Sequence, residues 1–204
     1  GTFFLVFTIG LTAMSGTPMA PIAIGSVLIA MVYMGGHISG AHYNPAVSVA
    51  ILIRGKMKAR DLIPYVTAQL IGAILASLAV MVIVGDTFAP APDPDAGLVA
   101  VLLSEGLFTF ALALVVLNVA TDDATASNSY YGLAIGFTVL AGTFAVGAIS
   151  GGVFNPAVGT GPILVDALAG DGGFDQLWIY WVGPLLGGAA AAGVYDLQHL
   201  GVEG

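Results

Sequence analysis

Residues 39–47 read Ser-Gly-Ala-His-Tyr-Asn-Pro-Ala-Val, and residues 150–158 read Ser-Gly-Gly-Val-Phe-Asn-Pro-Ala-Val. Proline is favoured at the first position of a helix, and asparagine at the cap before it. Each copy therefore predicts a loop that turns into a helix at Asn-Pro-Ala. One Asn-Pro-Ala carries little information. Two copies that share the upstream Ser-Gly and the aromatic residue before asparagine indicate an internal repeat.

The composition around this repeat is that of a membrane protein. The chain has 204 residues, of which 58% are hydrophobic and only 8% are charged. Soluble domains carry about 25% charged residues, so this chain could not cover a surface in water. Its 29 glycines suit close contact between helices in lipid. With no cysteine, the chain has no disulfide or thiol chemistry.

The charges predict an orientation. The net charge is −8, which makes a nucleic-acid partner unexpected. The positive residues are Arg54, Lys56, Lys58 and Arg60. Because basic loops stay on the cytoplasmic side, we expect this loop and, by alternation, both termini to be cytoplasmic. The acidic stretch 85–97 then faces outside.

Six apolar segments can be drawn, and most of them approach the roughly 20 residues that span a bilayer, although the first is short. They are 1–15, 20–37, 59–84, 98–120, 130–149 and 176–197. Two more apolar segments, 38–53 and 150–165, are too short to span, and each carries one Asn-Pro-Ala. Short segments at matching places in two halves are typical of half-helices in inverted repeats.

The order of segments predicts an all-α membrane fold with two inverted halves. Each half reads span, span, half-helix, span, and an odd number of spans inverts the second half. We expect one channel domain over residues 1–204, with repeats at about 1–84 and 98–197 joined by the loop 85–97.

Opposed half-helices that meet near the midplane can select for neutral molecules. Each helix start carries about half a positive charge, and two such ends form a barrier to cations and protons. Asn44 and Asn155 can each donate a side-chain N–H to a passing oxygen. Unpaired backbone at this depth lines a water-filled path. The expected carbonyl acceptors are those of Gly40, Ala41, His42, Tyr43, Gly151, Val153 and Phe154.

With these motifs, the chain resembles the aquaporins, the major intrinsic protein family of channels for water and small solutes. The most specific parts are residues 36–47, Gly-His-Ile-Ser-Gly-Ala-His-Tyr-Asn-Pro-Ala-Val, and the second Asn-Pro-Ala at 155–157. The resemblance implies six tilted helices, two half-helices, one pore per subunit, a homotetramer and membrane lipid as surroundings. We expect a prokaryotic plasma membrane.

The resemblance also assigns a structural glutamate. The family usually has Glu before the Gly-Thr of the first span, a place that here precedes Gly1. Its repeat partner, Glu105, is present before Gly106. We expect Glu105 to hydrogen-bond to the carbonyls before a half-helix, with a proton relay as the alternative.

The family's outer constriction falls, by alignment to the motifs, on Ile24, Thr143, Gly152 and Val158. Water-selective members usually have an aromatic residue, His, a small residue and Arg there, and this chain keeps only the small one. Without Arg the mouth loses a fixed charge, hydrogen-bond donors and bulk. The sequence therefore predicts passage of water together with ammonia, hydrogen peroxide, urea and possibly larger neutral solutes such as glycerol, but not protons or ions.

The alternatives are an ion-coupled transporter of the inverted-repeat type and a structural membrane protein with a closed pore. A transporter needs charges within the membrane. Only Glu105 qualifies, because Asp166 and Asp196 lie near segment ends. His37 and His42 are either structural or pH-sensitive gates. The sequence has no Ser/His/Asp grouping, metal cluster or phosphate loop, so we expect neither enzyme activity nor a cofactor or metal.

Overall fold

The computed structural model describes residues 1–200 of the chain, so the last four residues of the domain expected over 1–204 lie outside the described part. The elements found there are eight α-helices and one short 3₁₀ turn at Asp123–Thr125. The helices are α1 Thr2–Ser15, α2 Ala20–Ser39, α3 Pro45–Ile53, α4 Ala59–Val84, α5 Leu98–Ala120, α6 Tyr131–Ser150, α7 Pro156–Ala169 and α8 Ile179–His199. The predicted all-α fold is confirmed.

The predicted spans correspond to α1, α2, α4, α5, α6 and α8. Four of them, α2, α4, α5 and α6, are long and apolar enough to cross a membrane by themselves. The prediction ended the second and fifth spans one or two residues early, because each helix continues to the serine before a glycine. Gly40 and Gly151 then cap these helices in the left-handed conformation.

The two short segments contain the half-helices, although the predicted bounds are shifted. Residues 38–39 belong to α2, residues 40–44 form a loop, and only Pro45–Ile53 is helical. In the second half, α7 begins at Pro156 and continues to Ala169, beyond the predicted end. Each half-helix starts inside the bundle and runs back towards the side from which its loop entered.

The two halves interlock around these half-helices. In each half the first and last helices pack together, α1 with α4 and α5 with α8. Each half-helix, however, packs mainly on the other half: α3 contacts α5 and α8, whereas α7 contacts α4 and α1. We call the end of the bundle that carries the basic loop 54–60 the inner end, and the end that carries the loop 85–97 the outer end.

Glycine permits the close approach of α2 and α6 between the halves. A Cβ on Gly25 would lie 2.9 Å from the carbonyl oxygen of Gly136, and a Cβ on Gly136 would lie 2.6 Å from that of Gly25. Only glycine fits at such a crossing. The outer surface of the bundle is apolar, with side chains such as Ile63, Val82 and Val99 more than two-thirds exposed. Such a surface suits lipid.

Candidate pore

The asparagines of both motifs cap their half-helices. The side-chain oxygen of Asn44 accepts hydrogen bonds from the amides of Ala46 at 2.8 Å and Val47 at 3.4 Å. The side-chain oxygen of Asn155 accepts one from the amide of Ala157 at 3.0 Å. In each asparagine, the oxygen therefore points into its own helix and the nitrogen points away from it.

The asparagine nitrogens join the two halves. Nδ2 of Asn44 donates to the carbonyl of Phe154 at 2.8 Å, and Nδ2 of Asn155 donates to the carbonyl of Tyr43 at 2.9 Å. The sequence predicts these two carbonyls as acceptors for permeating molecules, but each already accepts one protein hydrogen bond. A role in permeation rests on the second lone pair of each carbonyl and the second hydrogen of each asparagine amide.

The loops before the asparagines share one unusual backbone. Residues with positive φ lie at matching places, Gly40 (81°), Ala41 (50°) and Tyr43 (48°) in the first loop, and Gly151 (91°), Gly152 (63°) and Phe154 (51°) in the second. The left-handed conformation costs a non-glycine residue about 1–2 kcal/mol. Within residues 1–200, the carbonyls predicted to line the pore at Gly40, Ala41, His42, Gly151 and Val153 accept no hydrogen bond from protein.

Glu105 supports the second loop, but through different groups from those predicted. Its carboxylate accepts hydrogen bonds from the Ser150 hydroxyl at 2.7 Å, the Val153 amide at 3.0 Å and the Phe154 amide at 2.6 Å. The expected partners, backbone carbonyls, are wrong because a carboxylate accepts hydrogen bonds and carbonyls have none to donate. Glu105 is fully buried and does not line the central cavity.

Among the described residues, the first loop is held by Tyr65, His42 and Ser48. The Tyr65 hydroxyl donates to the carbonyl of Ser39 at 2.8 Å and accepts from the amide of His42 at 3.1 Å. The His42 ring lies 3.1 Å from the Ser48 hydroxyl, which also receives a hydrogen bond from Gln69. His42 is thus hydrogen-bonded as the structural interpretation predicts, whereas His37 lies exposed near the end of α2.

A single cavity of about 380 Å³ brings the predicted site residues together. Both asparagines and all four predicted constriction residues line it, as do the loop residues Gly40, Ala41, His42, Tyr43, Gly151, Gly152, Val153 and Phe154. The prolines and alanines of the two motifs are buried behind this lining. The predicted constriction is apolar: Ile24 and Val158 are less than a tenth exposed, and the Thr143 hydroxyl donates to the Val139 carbonyl of its own helix.

Among the lining residues that sequence reasoning missed, two groups come from loops and not from helices. Phe88, Ala89 and Pro90 reach the cavity from the loop between the halves, and Ala126 and Asn128 reach it from the loop after α5. Neither loop has an apolar period or a repeated motif. The proline-rich composition of the first was the only available signal, and it predicts an extended segment without saying where that segment lies.

A polar network lies at the inner end of the bundle, beside the end of α3. The Tyr195 hydroxyl lies 3.2 Å from Nη2 of Arg54 and donates to Asp122 at 2.7 Å. Nε2 of His199 lies 2.6 Å from the same carboxylate oxygen. The hydrogen bonds from Tyr195 and from the Ala124 amide hold the pKa of the Asp122 carboxyl below its ordinary value.

Helices long enough to cross a membrane, together with two opposed half-helices around one cavity, define a helical membrane channel. The family model described as "Major intrinsic protein" matches residues 1–195. The chain belongs to the major intrinsic protein family, whose members are passive channels for water and small neutral solutes. The alternative of an ion-coupled transporter is not favoured.

The similar proteins agree with this assignment. The maize protein named "Aquaporin NIP1-1" is 38% identical over 97% of this chain and 71% of its own length. "Probable aquaporin AqpM" from Archaeoglobus fulgidus is 38% identical over 93% of this chain and 81% of its own length. The X-ray structure of the aquaglyceroporin from Plasmodium falciparum has a TM-score of 0.86 and covers 98% of this chain and 94% of its own. Its sequence identity is 21%, so the likeness shows the fold alone.

Proposed function

We propose that this chain conducts water together with ammonia, hydrogen peroxide, urea and glycerol, and excludes protons and ions. The observation that carries the proposal is the single cavity that both asparagines line, with Ile24 and Val158 at its predicted constriction. Asn44 and Asn155 provide amide donors where the two half-helices meet, a level called the waist below. Ile24, Thr143, Gly152 and Val158 provide mostly apolar walls at the predicted constriction, called the mouth. We expect flux that does not saturate at low solute concentration, because the predicted constriction has few polar groups that could hold a solute.

Selection at the mouth is by size. A constriction with His and Arg replaces, by hydrogen bonds, part of the hydration that a passing molecule loses. It rejects molecules whose size or hydrogen-bonding groups do not fit those side chains. Ile24, Gly152 and Val158 have no polar side-chain group, and the Thr143 hydroxyl hydrogen is already used. Because few groups at the mouth distinguish water from urea or ammonia by hydrogen bonding, molecules pass according to their width.

Exclusion of ions depends on the waist. The N-terminal ends of α3 and α7 face one cavity, and each contributes a partial positive charge. A cation that enters also loses hydration that apolar walls cannot replace, at a cost of several kcal/mol or more. This barrier does not need an arginine at position 158.

The proposal includes the surroundings of the pore. The chain spans a prokaryotic plasma membrane with the basic loop 54–60 and both termini in the cytoplasm, assembles as a homotetramer with one pore per subunit, and catalyses no reaction. The four basic residues support the orientation. The exposed apolar side chains of α4 and α5 support contact with lipid or with neighbouring subunits.

A stopped-flow assay on proteoliposomes tests the function. The purified wild-type protein is reconstituted into liposomes. Their shrinkage or swelling is then followed in gradients of sucrose, urea, ammonia and glycerol. We expect water and solute fluxes above those of protein-free liposomes, linear in concentration and independent of ion gradients. Flux that requires a sodium or proton gradient would favour a coupled transporter, and water flux equal to that of bare lipid would refute the channel.

A further inference from the structure

We infer that residues 85–97, called the strap below, form an additional wall of the outer mouth, and that Phe88 sets the size limit of the pore by holding Ala89 and Pro90 beside it. The three residues line the same cavity as Ile24, Thr143, Gly152 and Val158. The inference rests on the proposed function and deepens it, because it names a segment that determines which neutral solutes pass.

Phe88 is the anchor at the first end of the strap. Its ring fills a notch at Gly10 between α1 and α4: a Cβ on Gly10 would lie 2.5 Å from Cε1 of Phe88 and 2.8 Å from Cγ2 of Val80. The ring therefore fits only because position 10 has no side chain. Phe88 is partly buried against the core, whereas its neighbour Ala89 is exposed.

The strap is also fastened to the second half of the chain. The Thr87 hydroxyl donates to Asp166 of α7 at 2.5 Å. Further along, the Asp93 amide donates to the carbonyl of Ile149 near the end of α6 at 3.0 Å. Between these points the carbonyl oxygen of Ala91 would lie only 3.3 Å from a Cβ on Gly151. The strap thus crosses from α1 and α4 to Gly151, where the loop before Asn155 begins.

The residues between the anchors are stiff. Pro90, Pro92 and Pro94 alternate along the strap, and no glycine lies between Gly85 and Gly97. Proline fixes φ and has no amide hydrogen. A stiff segment held at both ends keeps a constant position. The strap therefore gives the opening beside Pro90 a fixed width and does not act as a moving lid.

The missing arginine gives the strap its importance. With Val158 after the second motif, none of the four residues at the predicted constriction has a long polar side chain. The side chains of Ala89 and Pro90 have no polar group, so they limit the width of the path without replacing hydration. Phe88 acts through them as a positioning residue.

Two substitutions that displace the strap by different routes test the inference. Phe88→Ala removes the ring, and Gly10→Ala pushes the ring out of its notch while favouring the helical conformation of α1. The matched controls are Phe174→Ala, which removes a half-exposed phenylalanine from another loop, and Gly193→Ala, where an added Cβ meets nothing within 4 Å. The ratio of urea flux to water flux is measured for each variant in proteoliposomes.

We expect the urea-to-water flux ratio to rise roughly tenfold in Phe88→Ala and Gly10→Ala, a size effect typical of apolar pockets, and to stay unchanged in both controls. The double variant should behave like Phe88→Ala alone, because the added methyl group then has no ring to displace and only the end of the Val80 side chain has to shift. Additive effects in the double variant, or an unchanged ratio in both single variants, would overturn the inference. A merely structural role for Phe88 would lower both fluxes together and leave their ratio unchanged.

A labelling experiment keeps this test separate from that of the proposed function. The chain has no cysteine, so Val158→Cys supplies one thiol inside the mouth. Its labelling by a neutral maleimide, followed by mass spectrometry, needs no transport. We expect faster labelling when Phe88→Ala or Gly10→Ala is added, and equal rates would refute the strap as a barrier. If the wild type has no water flux while the Val158→Cys variants keep this labelling pattern, the channel is refuted and the strap is retained.

Discussion

The two re-entrant loops, residues 40–44 and 151–155, have the same backbone and share one tyrosine contact, but different groups bind their amides. Both place left-handed residues at matching positions, and both send an asparagine amide across to the other loop. The Tyr65 hydroxyl donates to the carbonyl of Ser39, and the Tyr180 hydroxyl donates to that of Ser150. The amides of Val153 and Phe154 donate to the buried carboxylate of Glu105, whereas the amide of His42 donates to the Tyr65 hydroxyl. The comparison teaches that the repeat preserves the backbone shape and the tyrosine contact, while the groups that bind the loop amides differ between the described parts of the two halves.

The C-terminal ends of the two half-helices also have different contacts. At the inner end of α3, Arg54 contacts Tyr195, whose ring also lies 4.6 Å below the guanidinium, and Tyr195 leads to Asp122. At the outer end of α7, Asp166 is bound by Thr87 of the strap. One half-helix is therefore tied through Tyr195 to the loop after α5, and the other is tied to the connection between the halves.

Of the changes that test this comparison, removal of the Glu105 carboxylate should lower stability most, because this group binds two amides of the second loop. Glu105→Ala leaves the buried amides of Val153 and Phe154 without an acceptor, at about 1–3 kcal/mol for each. We expect a large fall in the melting temperature in detergent and loss of water flux. Tyr65→Phe, the change on the first loop, removes one hydroxyl and should cost roughly 1–2 kcal/mol.

The control for the carboxylate is Glu105→Gln. Its oxygen can accept one of the two amide hydrogen bonds, so its stability should lie between those of the wild type and Glu105→Ala. If Tyr65→Phe proves as destabilising as Glu105→Ala, the two supports are equivalent and the comparison is wrong.

The asparagines should show the symmetry that the supports lack. Asn44→Ala and Asn155→Ala each remove one helix cap, worth about 0.5–2 kcal/mol, and one hydrogen bond between the halves. We expect the two variants to lose similar stability in thermal unfolding and to show similarly reduced water flux. A clear difference between them would mean that one loop depends less on its asparagine than the shared geometry requires.

Val158→Arg should sharpen the contrast between the waist, whose backbone shape is repeated in both loops, and the mouth, which has no arginine. The side chain adds bulk and charge where the cavity is lined by valine, so urea flux should fall roughly tenfold while much of the water flux remains. Val158→Leu adds bulk without charge and serves as the control. If Val158→Arg and the wild type have the same solute profile, position 158 does not determine selection at the constriction.

The smallest effect is expected at the inner end, where Asp122 can be titrated. Its folded pKa lies below its ordinary value, so its contribution to stability is full above that value and disappears as the pH falls through the folded pKa. Asp122→Asn should therefore unfold at a slightly lower temperature than the wild type at about pH 6, and this difference should shrink as the pH falls below the ordinary pKa of aspartate, about 3.9. A difference that persists in acid would exclude the carboxylate charge as its cause.

Much of the site could be predicted from the sequence because its signals are local. An asparagine before proline forms a cap through contacts two or three residues away, so Asn44 and Asn155 could be placed at helix starts. Their duplication then predicted two half-helices. The groups that Glu105 binds were predicted wrongly, because its partners lie 45 to 49 residues away and only their packing decides which atoms face the carboxylate.

The sequence by itself determined the membrane location, the inverted repeat and the family, because hydrophobicity, span count and a duplicated motif do not depend on packing. Only the tertiary structure decided that each asparagine donates to the opposite loop, that Tyr195 joins Arg54 to Asp122, and that the strap reaches the mouth. These contacts join residues far apart in the chain. They depend on how closely helices approach at positions such as Gly10, and no local pattern specifies that distance.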